Sequence, residues 1–379
     1  MQPVIFVAVQ TGVGANGGIE SVSQIIARLQ RHRPIILTDR ESSRTDNWRE
    51  AGIETHFMPQ TVSRGTARRP WNAIASYWRY ARELTRLVNR SGAKVIHAND
   101  PASMQLAILP AKLTGAKLVF NIRDTLDPDR SPPTIRYRTL FRAADHVLYL
   151  SRDMASRWAA VVPRAKVPFS VTYSVVNPDV FAPAAPVARD APQVVLLSGL
   201  ISAKKGQLEF VRHVSPLLAQ HGIATWLTGD FDARRNPYMA ACAEAAVPLG
   251  ELVQFLGYRT DVAELMARSS VIAVPSRHEG LVRAMIEAMS CARPVVSFDV
   301  SSAREMLEDE SNGAGVVVRS GDYQAMADAI IRYCRNPELA AAAGEKGRMI
   351  ARRLFSPHSV VERYERVYER LIEAAAATA

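Results

Sequence analysis

The sequence has few cysteines, no long apolar run and a shortage of acidic residues. Its three cysteines are far apart among 379 residues, so neither a disulfide framework nor a metal-binding cysteine spacing is indicated. No uncharged apolar stretch reaches the roughly 18 residues of a transmembrane helix. The first residues lack the basic and apolar parts of a signal peptide. We therefore expect a cytoplasmic protein without structural disulfides.

Basic residues outnumber acidic ones, and this imbalance indicates the kind of partner. The formal net charge is +10 at pH 7 and the pI is about 9.7, which favours nucleotides, phospholipid surfaces or nucleic acid. Hydrophobic residues make up 48% of the chain, enough for the cores of two domains of ordinary size.

Strand-like and helix-like segments alternate along the chain, which is typical of an α/β fold with parallel sheets. A proline-rich stretch at 178–192 predicts a linker. We expect two doubly wound, Rossmann-like domains at 1–177 and 193–356, facing across a cleft, and an amphipathic helix at 357–379. Apolar runs predict buried strands at 4–9, 34–38, 94–97, 118–120, 146–150, 194–197, 271–274 and 295–298, and periodicity predicts an early helix at 18–31.

The most informative segment contains two glutamates, Glu279 and Glu287, with seven residues between them. It lies between two buried-strand patterns, so the sequence predicts a βαβ unit whose helix starts near Leu281. Ligands of parallel sheets bind at the carboxyl ends of the strands. Glu279 is therefore expected at such a site, just ahead of the helix.

Helix geometry gives this segment a chemical interpretation. Free N–H groups and the helix dipole favour an anion such as phosphate at the N-terminus. Glu287 lies about 7–8 Å along the axis from Val282, where its carboxylate can accept the hydroxyls of a ribose. Glu279 is placed to meet the polar group beyond the phosphates. The order carboxylate, phosphate, carboxylate indicates a nucleotide-sugar site.

This segment resembles the E-x7-E signature of the family 4 retaining glycosyltransferases, which have the GT-B fold. The resemblance covers most of the chain, and it implies a GT-B fold in which the last helix crosses back to the first domain. Three further stretches are similar to motifs of that family and occur in the same order: Gly17-Gly18-Ile19-Glu20, Lys205-Gly206 and Gly257-Tyr258-Arg259-Thr260-Asp261-Val262.

The resemblance also implies an activity, the retaining transfer of a sugar from a UDP- or GDP-sugar to a glycan or lipid-linked acceptor. Cell-envelope polysaccharide or lipopolysaccharide synthesis is the expected setting. Glu279 would bind the donor sugar and steady positive charge on its ring, Glu287 would bind the ribose, and Tyr258 and Arg259 would lie near the base. The diphosphate would be bound by Gly17, Gly18, Lys205, Gly280 and the amides of Leu281 and Val282.

Two strand ends in the first half add candidate groups. Arg123 and Asp124 follow one predicted strand. Arg123 stays protonated, so it would either stabilise leaving-group charge as a catalytic residue or form a structural salt bridge. His97 ends another strand and resembles a stretch of the family; it is interpreted as a secondary residue of the cleft, with a core histidine as the alternative. Asp124 is placed in the cleft with it.

The sequence departs from the family at three places. Leu200 stands where the family usually has an arginine that contacts the diphosphate. Ala292 replaces a glycine, and Ser301 and Ser302 replace a glycine pair near the donor. These departures leave open which sugar and which base the donor carries.

The glycine-rich loop Gly12-x-Gly14-x-x-Gly17 has a second interpretation. It follows a strand and opens a helix, and Asp39 ends the next strand, which is the pattern of an NAD site. An NAD(P)-dependent oxidoreductase is therefore the alternative enzyme. The glycosyltransferase is favoured because the second half of the chain carries its own nucleotide signature.

No metal or cofactor is expected, because Asp127-Pro128-Asp129 lies in a first-domain loop and matches a metal-binding triplet by coincidence. In segment 61–90, seven arginines and several aromatics accompany a single acid, Glu83. This segment predicts either contact with an anionic surface on the inner face of the cytoplasmic membrane or an outer helix with inward-packed aromatics. A non-catalytic basic module that binds membrane or nucleic acid is the third hypothesis, although no nucleic acid is expected for the enzyme.

Overall fold

The fold is described from a computed structural model, for residues 1–9, 17–58, 70–123, 134–162, 167–234, 236–307 and 313–377. Buried β-branched and apolar runs form its strands, as expected for parallel sheets covered on both faces. Within these residues there are thirteen strands: β1 Gln2–Ala8, β2 His32–Thr38, β3 Glu54–Phe57, β4 Val95–Ala98, β5 Lys117–Ile122, β6 His146–Tyr149, β7 Phe169–Val171, β8 Val194–Ser198, β9 Ala224–Thr228, β10 Val253–Phe255, β11 Val271–Val274, β12 Val295–Phe298 and β13 Gly315–Val318.

The same parts of the chain contain fifteen α-helices. None of them combines the length and the apolar character needed to cross a membrane. They are α1 Gly17–Ile26, α2 Ser43–Glu50, α3 Pro70–Ser91, α4 Pro101–Thr114, α5 Thr134–Ala143, α6 Arg152–Val161, α7 Gln207–His213, α8 Ser215–Ala219, α9 Pro237–Ala246, α10 Val262–Arg268, α11 Arg283–Ser290, α12 Ala303–Leu307, α13 Tyr323–Arg335, α14 Pro337–Leu354 and α15 Pro357–Ala377.

The chain divides into two compact units. The first unit comprises residues 1–175 and 357–379, and the second comprises residues 176–356. The segment interpreted as a linker packs on the second unit. The amide of Ala184 donates to the carbonyl of Cys291 at 3.2 Å, and Nη2 of Arg293 donates to the carbonyl of Ala185 at 2.6 Å.

The first unit is built on a seven-stranded parallel sheet in the order β3-β2-β1-β4-β5-β6-β7. The order reverses between β1 and β4, as in a doubly wound fold. The centre of the sheet is fully buried, and the side chains of Val4 and Phe6 in β1 form part of its core. The apolar runs expected as strands in this half all overlap strands of the sheet, with ends that differ by at most two residues.

The C-terminal helix α15 belongs to the first unit and completes its core. Val360, Tyr364 and Tyr368 are buried in the same cluster as β1. Oε1 of Glu365 accepts hydrogen bonds from the amides of Gln30 at 2.8 Å and Arg31 at 2.6 Å. Because Glu365 takes these amides, α1 ends at Ile26 and not near residue 31 as its periodicity predicted.

The second unit is built on a six-stranded parallel sheet in the order β10-β9-β8-β11-β12-β13. Its order reverses between β8 and β11, so the loops that follow these two strands meet at the carboxyl edge of the sheet. The two units together confirm the predicted α/β fold class of two doubly wound, Rossmann-like parallel sheets.

Candidate functional site

The loop after β8 carries Lys205 to the carboxyl edge of the second sheet. A 3-10 turn at Ala203–Lys205 is followed by Gly206, whose backbone has a left-handed φ of 74°. A Cβ on Gly206 would lie 2.2 Å from the carbonyl oxygen of Pro275. Glycine therefore lets this loop approach the loop that follows β11. This close packing explains why a glycine follows Lys205.

The loop after β11 carries Glu279 to the same edge. The amide of Arg277 donates to the carbonyl of Lys204 at 2.9 Å, which joins the two loops. Nζ of Lys205 lies 2.6 Å from Oε1 of Glu279. This ion pair stands where the strand order reverses, the position at which open α/β sheets bind their ligands.

Helix α11 supplies the second pair of charges. It begins at Arg283, two residues later than predicted, and Val282 precedes it with an extended ψ of 100°. The amides of Leu281 and Val282 therefore lie ahead of the first helical turn. Oε1 of Glu287 accepts a hydrogen bond from Nη2 of Arg283 at 3.2 Å, so the second glutamate also faces a cation.

The two ion pairs are electrostatically coupled. Burial raises the pKa of Glu287, and the charges of Arg283 and Lys205 oppose this shift, so Lys205 acts on both glutamates. Oε1 of Glu279 is buried, and among the described residues its charged partner is Nζ of Lys205, at 2.6 Å. A buried carboxylate oxygen in this state has unused acceptor capacity, which a ligand hydroxyl would satisfy.

The loop after β10 holds the residues expected near the base. The amide of Gly229 donates to the carbonyl of Gly257 at 2.9 Å, which ties this loop to the end of β9. Tyr258 is largely exposed. Nε of Arg259 donates to Oδ1 of Asp261 at 2.7 Å, and this hydrogen bond raises the pKa of Arg259. The loop thus offers an open aromatic ring beside an arginine that already has a carboxylate partner.

The positions that depart from the family have defined surroundings. Leu200 is exposed on the loop after β8. Oγ of Ser301 donates to the carbonyl of Gly280 at 3.2 Å, so the segment after β12 supports the glutamate loop. Ser302 is fully buried. Ala292 has a φ of 55°, a left-handed conformation in which glycine avoids the steric cost of a Cβ.

In the first unit, Arg123 and Asn99 meet at the ends of the neighbouring strands β5 and β4. Nε of Arg123 donates to Oδ1 of Asn99 at 3.1 Å, and Asn99 is buried. The guanidinium is thus anchored by an amide at the carboxyl edge of the first sheet. Asp124, predicted beside it, lies outside the described residues.

The glycine-rich loop is described only at its end. Gly17 and Gly18 are the first two residues of α1, whereas Gly12 and Gly14 lie outside the described residues. Asp39 follows β2 and is buried. The placement of Gly17 and Gly18 agrees with a strand-to-helix turn and does not by itself separate the two interpretations of this loop.

His97 lies in the core of the first unit and not on an accessible surface. It is fully buried, its Nδ1 lies 2.9 Å from the hydroxyl of Tyr368, and its Nε2 lies 3.5 Å from Nδ2 of Asn121. Burial, together with the charge of Arg123, lowers the pKa of His97 to about 3. The interpretation of His97 as a cleft residue is therefore corrected: it joins β4 and β5 to α15.

Solved structures resemble the whole chain, and two of them serve as examples. The HepE protein of Anabaena, crystallised with UDP, superposes with a TM-score of 0.80 at 18% identity and covers 98% of this chain and 100% of its own. Sucrose-phosphate synthase of Thermosynechococcus elongatus superposes with a TM-score of 0.77 at 18% identity and covers 99% of this chain and 100% of its own. These similarities establish the GT-B fold.

Sequence families identify the enzyme class. Residues 16–171 match the family described as Glycosyl transferase 4-like domain, and residues 191–336 match Glycosyl transferases group 1. The chain is a glycosyltransferase of the GT-B fold. The lipopolysaccharide core biosynthesis mannosyltransferase LpcC of Rhizobium leguminosarum bv. viciae is 27% identical over 303 residues, which cover 78% of this glycosyltransferase and 83% of the relative.

Sequence reasoning missed two side chains of this glycosyltransferase, Asn99 and Arg283, and the contact of a third, Ser301. Asn99 anchors Arg123, Ser301 supports Gly280, and Arg283 pairs with Glu287. Arg283 alone had a signal in the sequence, because a basic residue in the first turn of a helix opposes the helix dipole. The contacts of Asn99 and Ser301 depend on neighbouring strands and could be found only from the fold.

The described residues contain no group of three or more histidine, cysteine, aspartate or glutamate side chains arranged to hold a metal ion. Asp127 and Asp129, the aspartates of the triplet judged coincidental, lie outside the described residues. The charged groups that the structure brings together at the carboxyl edge of the second sheet include the pairs Lys205–Glu279 and Arg283–Glu287.

Proposed function

We propose that this glycosyltransferase transfers a sugar from a UDP- or GDP-sugar to a glycan or lipid-linked acceptor of the cell envelope. The observation that carries the proposal is the 2.6 Å pair of Lys205 with Glu279 beside the 3.2 Å pair of Arg283 with Glu287. Two cations suit the two phosphates of the donor, and two carboxylates suit the hydroxyls of ribose and sugar. LpcC is named a lipopolysaccharide core mannosyltransferase, and HepE was crystallised with UDP.

Each charged group has a separate role in the proposed reaction. Lys205 neutralises the diphosphate, which leaves Glu279 free to accept hydroxyl hydrogens of the donor sugar and to stabilise positive charge on its ring. Glu287 accepts the ribose hydroxyls, and the amides at 280–282 bind phosphate oxygens. In the first unit, Arg123 and the amides of Gly17 and Gly18 are further proposed contacts of the diphosphate, while Tyr258 and Arg259 are proposed contacts of the base.

The proposed transfer retains the configuration of the anomeric carbon. The bond from this carbon to the phosphate oxygen breaks, and the acceptor oxygen bonds to the same face of the carbon. The acceptor's proton passes to the departing phosphate oxygen, so no side chain has to act as the base. An NMR spectrum of the first product formed tests this step, since an inverted anomeric centre would contradict it.

A donor screen tests the proposed activity. The purified full chain is incubated with UDP-glucose, UDP-galactose, UDP-N-acetylglucosamine and GDP-mannose, and the release of UDP or GDP is measured. We expect one nucleotide series to turn over and the matching nucleoside diphosphate to raise the melting temperature. Stabilisation by NAD alone would instead support the oxidoreductase that uses Gly12, Gly14, Gly17 and Asp39.

One helical layer of the first unit is both basic and partly apolar. Helices α3, α4 and α5 pack side by side. Trp78 is 59% exposed on α3, and Ile74, one turn earlier, is also exposed, whereas Tyr80 packs inward. The exposed Trp78 therefore agrees with contact at a membrane surface, and the buried Tyr80 agrees with an outer helix whose aromatics pack inward. The described side chains of the three helices include one acid, Glu83, and these exposed basic residues: Arg79, Arg82, Arg86, Arg90, Lys112, Arg136, Arg138 and Arg142.

We propose that this layer contacts an anionic bilayer, where a lipid-linked acceptor would reside. Arginines attract anionic lipids while exposed apolar side chains enter the headgroup region. The test is flotation with vesicles of phosphatidylglycerol and phosphatidylcholine. The variant Trp78→Ala/Arg82→Gln/Arg86→Gln should bind about tenfold more weakly or worse. Arg366→Gln/Arg370→Gln on α15 is the control, and equal binding by all three proteins would contradict membrane contact through α3.

A further inference from the structure

Arg283 occupies a position that helix stability disfavours. It is the first residue of α11, and the first turn contains no acidic residue, although the helix dipole favours acids there. Its partner Glu287 follows four residues later, which is the less stable order for an oppositely charged pair on a helix. Departures of this kind from local preference concentrate at functional sites.

Arg283 is ion-paired but remains partly exposed to solvent. Nη2 and Nε of Arg283 lie 3.2 Å and 3.4 Å from the same oxygen, Oε1 of Glu287. The Arg283 side chain is 36% exposed, whereas that of Glu287 is 14% exposed. A guanidinium has more N–H donors than this contact uses, so Arg283 can bind an anion from solvent while Glu287 stays beneath it.

The pair of Lys205 and Glu279 repeats this arrangement. The lysine is 26% exposed, and the glutamate beneath it is 8% exposed. Oε1 of Glu279 is buried and faces Nζ of Lys205 at 2.6 Å, and its carboxylate can still accept further hydrogen bonds from ligand hydroxyls. Two pairs, each with its cation nearer to solvent than its carboxylate, thus stand at one edge of the sheet.

We propose that each pair binds one phosphate and one sugar of the donor, and that Arg283 binds the phosphate next to the ribose. This assignment rests on the proposed function. On binding, Arg283 donates its remaining N–H groups to that phosphate, and Glu287 accepts the ribose hydroxyls. Lys205 turns from Glu279 to the phosphate that carries the transferred sugar. Arg283 therefore distinguishes a nucleotide from a nucleoside, and Lys205 distinguishes a diphosphate from a monophosphate.

The affinities of the full chain for UDP and UMP test this division of roles, with GDP and GMP used instead if the wild type binds guanine nucleotides. Arg283→Gln should weaken both ligands by a similar factor of about ten or more, the size of a lost charged hydrogen bond. Lys205→Gln should weaken the diphosphate by about tenfold and the monophosphate by less than about twofold. Arg277→Gln, which removes an arginine paired with Glu209 at 2.9 Å, should change neither.

Two results would overturn the assignment. One is an Arg283→Gln variant whose affinities both stay within about twofold of wild type. The other is an Arg283→Gln variant that loses the preference for diphosphate over monophosphate. If this variant does not fold, Arg283→Lys replaces it and should also weaken both ligands equally, since lysine cannot bind two phosphate oxygens in a fork. A wild type that binds neither UDP nor GDP would contradict the proposed function itself.

Discussion

The two units have similar parallel sheets but use their polar side chains differently. In the second unit, Lys205, Glu279, Arg283 and Glu287 gather at the carboxyl edge and pair with one another at 2.6 Å and 3.2 Å. In the first unit, Nδ1 of the buried His97 lies 2.9 Å from the hydroxyl of Tyr368 on α15. The order of the strands therefore determines which side chains can meet. Their exposure and charge distinguish the candidate ligand site of the second unit from the surface of the first unit on which α15 packs.

The largest effect should come from Glu279, the carboxylate that pairs with Lys205. Glu279→Gln should lower kcat about 100- to 1000-fold, because the charge proposed to stabilise the transition state is removed. The affinity for UDP or GDP should not fall, since Lys205 loses the carboxylate that competes with the diphosphate. Steady-state kinetics and calorimetry measure the two quantities. His278→Gln, at the half-buried residue that precedes Glu279 on the same loop, is the matched control. A kcat for Glu279→Gln within about threefold of wild type would contradict the role of this glutamate.

Close packing between the β8 and β11 loops should be sensitive to a single methyl group. Gly206→Ala should destabilise the second unit by about 3 kcal/mol, because the new Cβ combines a left-handed backbone with a 2.2 Å approach to the carbonyl of Pro275. Gly222→Ala is the control: its φ is +67° but nothing lies within 4 Å of the added Cβ, so about 1 kcal/mol is expected. If the two variants lose the same free energy of unfolding in chemical denaturation, the close approach at Gly206 does not contribute to the cost.

The buried histidines should make the first unit sensitive to acid. Burial, with a smaller effect of nearby arginines, lowers the pKa of His97 to about 3 and of His146 to about 4. The unfolded chain therefore binds more protons than the folded unit between about pH 6.5 and pH 4, and the free energy of unfolding falls as pH falls through this window. Each histidine should cost about 2 kcal/mol at pH 5.

His146→Gln tests this sign. The loss in unfolding free energy between pH 7.5 and pH 5 should be about 2 kcal/mol smaller in the variant, because one titrating group is gone. The unfolding is followed by tryptophan fluorescence, since four of the five tryptophans lie in the first unit. An unchanged pH dependence would show that His146 is protonated as easily in the folded unit as in the unfolded chain.

The smallest effect is expected at Ala292, which has a φ of 55°. Ala292→Gly should stabilise the second unit by about 0.5 kcal/mol, because relief of the left-handed strain exceeds the added entropy of the unfolded chain. Ala329→Gly, inside α13, should instead destabilise it by about 1 kcal/mol. A loss of stability in both variants would show that the backbone at Ala292 is not strained.

Buried strands and their order along the chain were the most predictable part of the fold. The strands at 271–274 and 295–298 match the expected bounds residue for residue, because a strand covered on both faces is a short apolar run between polar loops. Helix ends were less predictable. α1 stops at Ile26 because Glu365, more than 300 residues away, takes the amides of Gln30 and Arg31, and no local pattern contains that contact.

The sequence predicted which residues form the candidate site but not which contacts their side chains make with one another. Spacing indicated that Glu279 and Glu287 would lie at one edge, the resemblance to the family added Lys205, and the structure places the three side chains together. The sequence did not show that the cations would already be paired with the carboxylates, because pairing depends on the approach of two loops at Gly206. His97 was placed at the cleft because a strand-end pattern does not reveal that α15 returns to cover it.

A crystal structure with UDP or GDP bound, whichever the wild type binds, tests the central claim most directly. The account predicts diphosphate oxygens at hydrogen-bond distance, about 3 Å, from Lys205 and Arg283. It also predicts that Nζ of Lys205 lies farther from Oε1 of Glu279 than the present 2.6 Å. A nucleotide bound elsewhere, with Lys205 still paired with Glu279 and no phosphate at Arg283, would contradict the account.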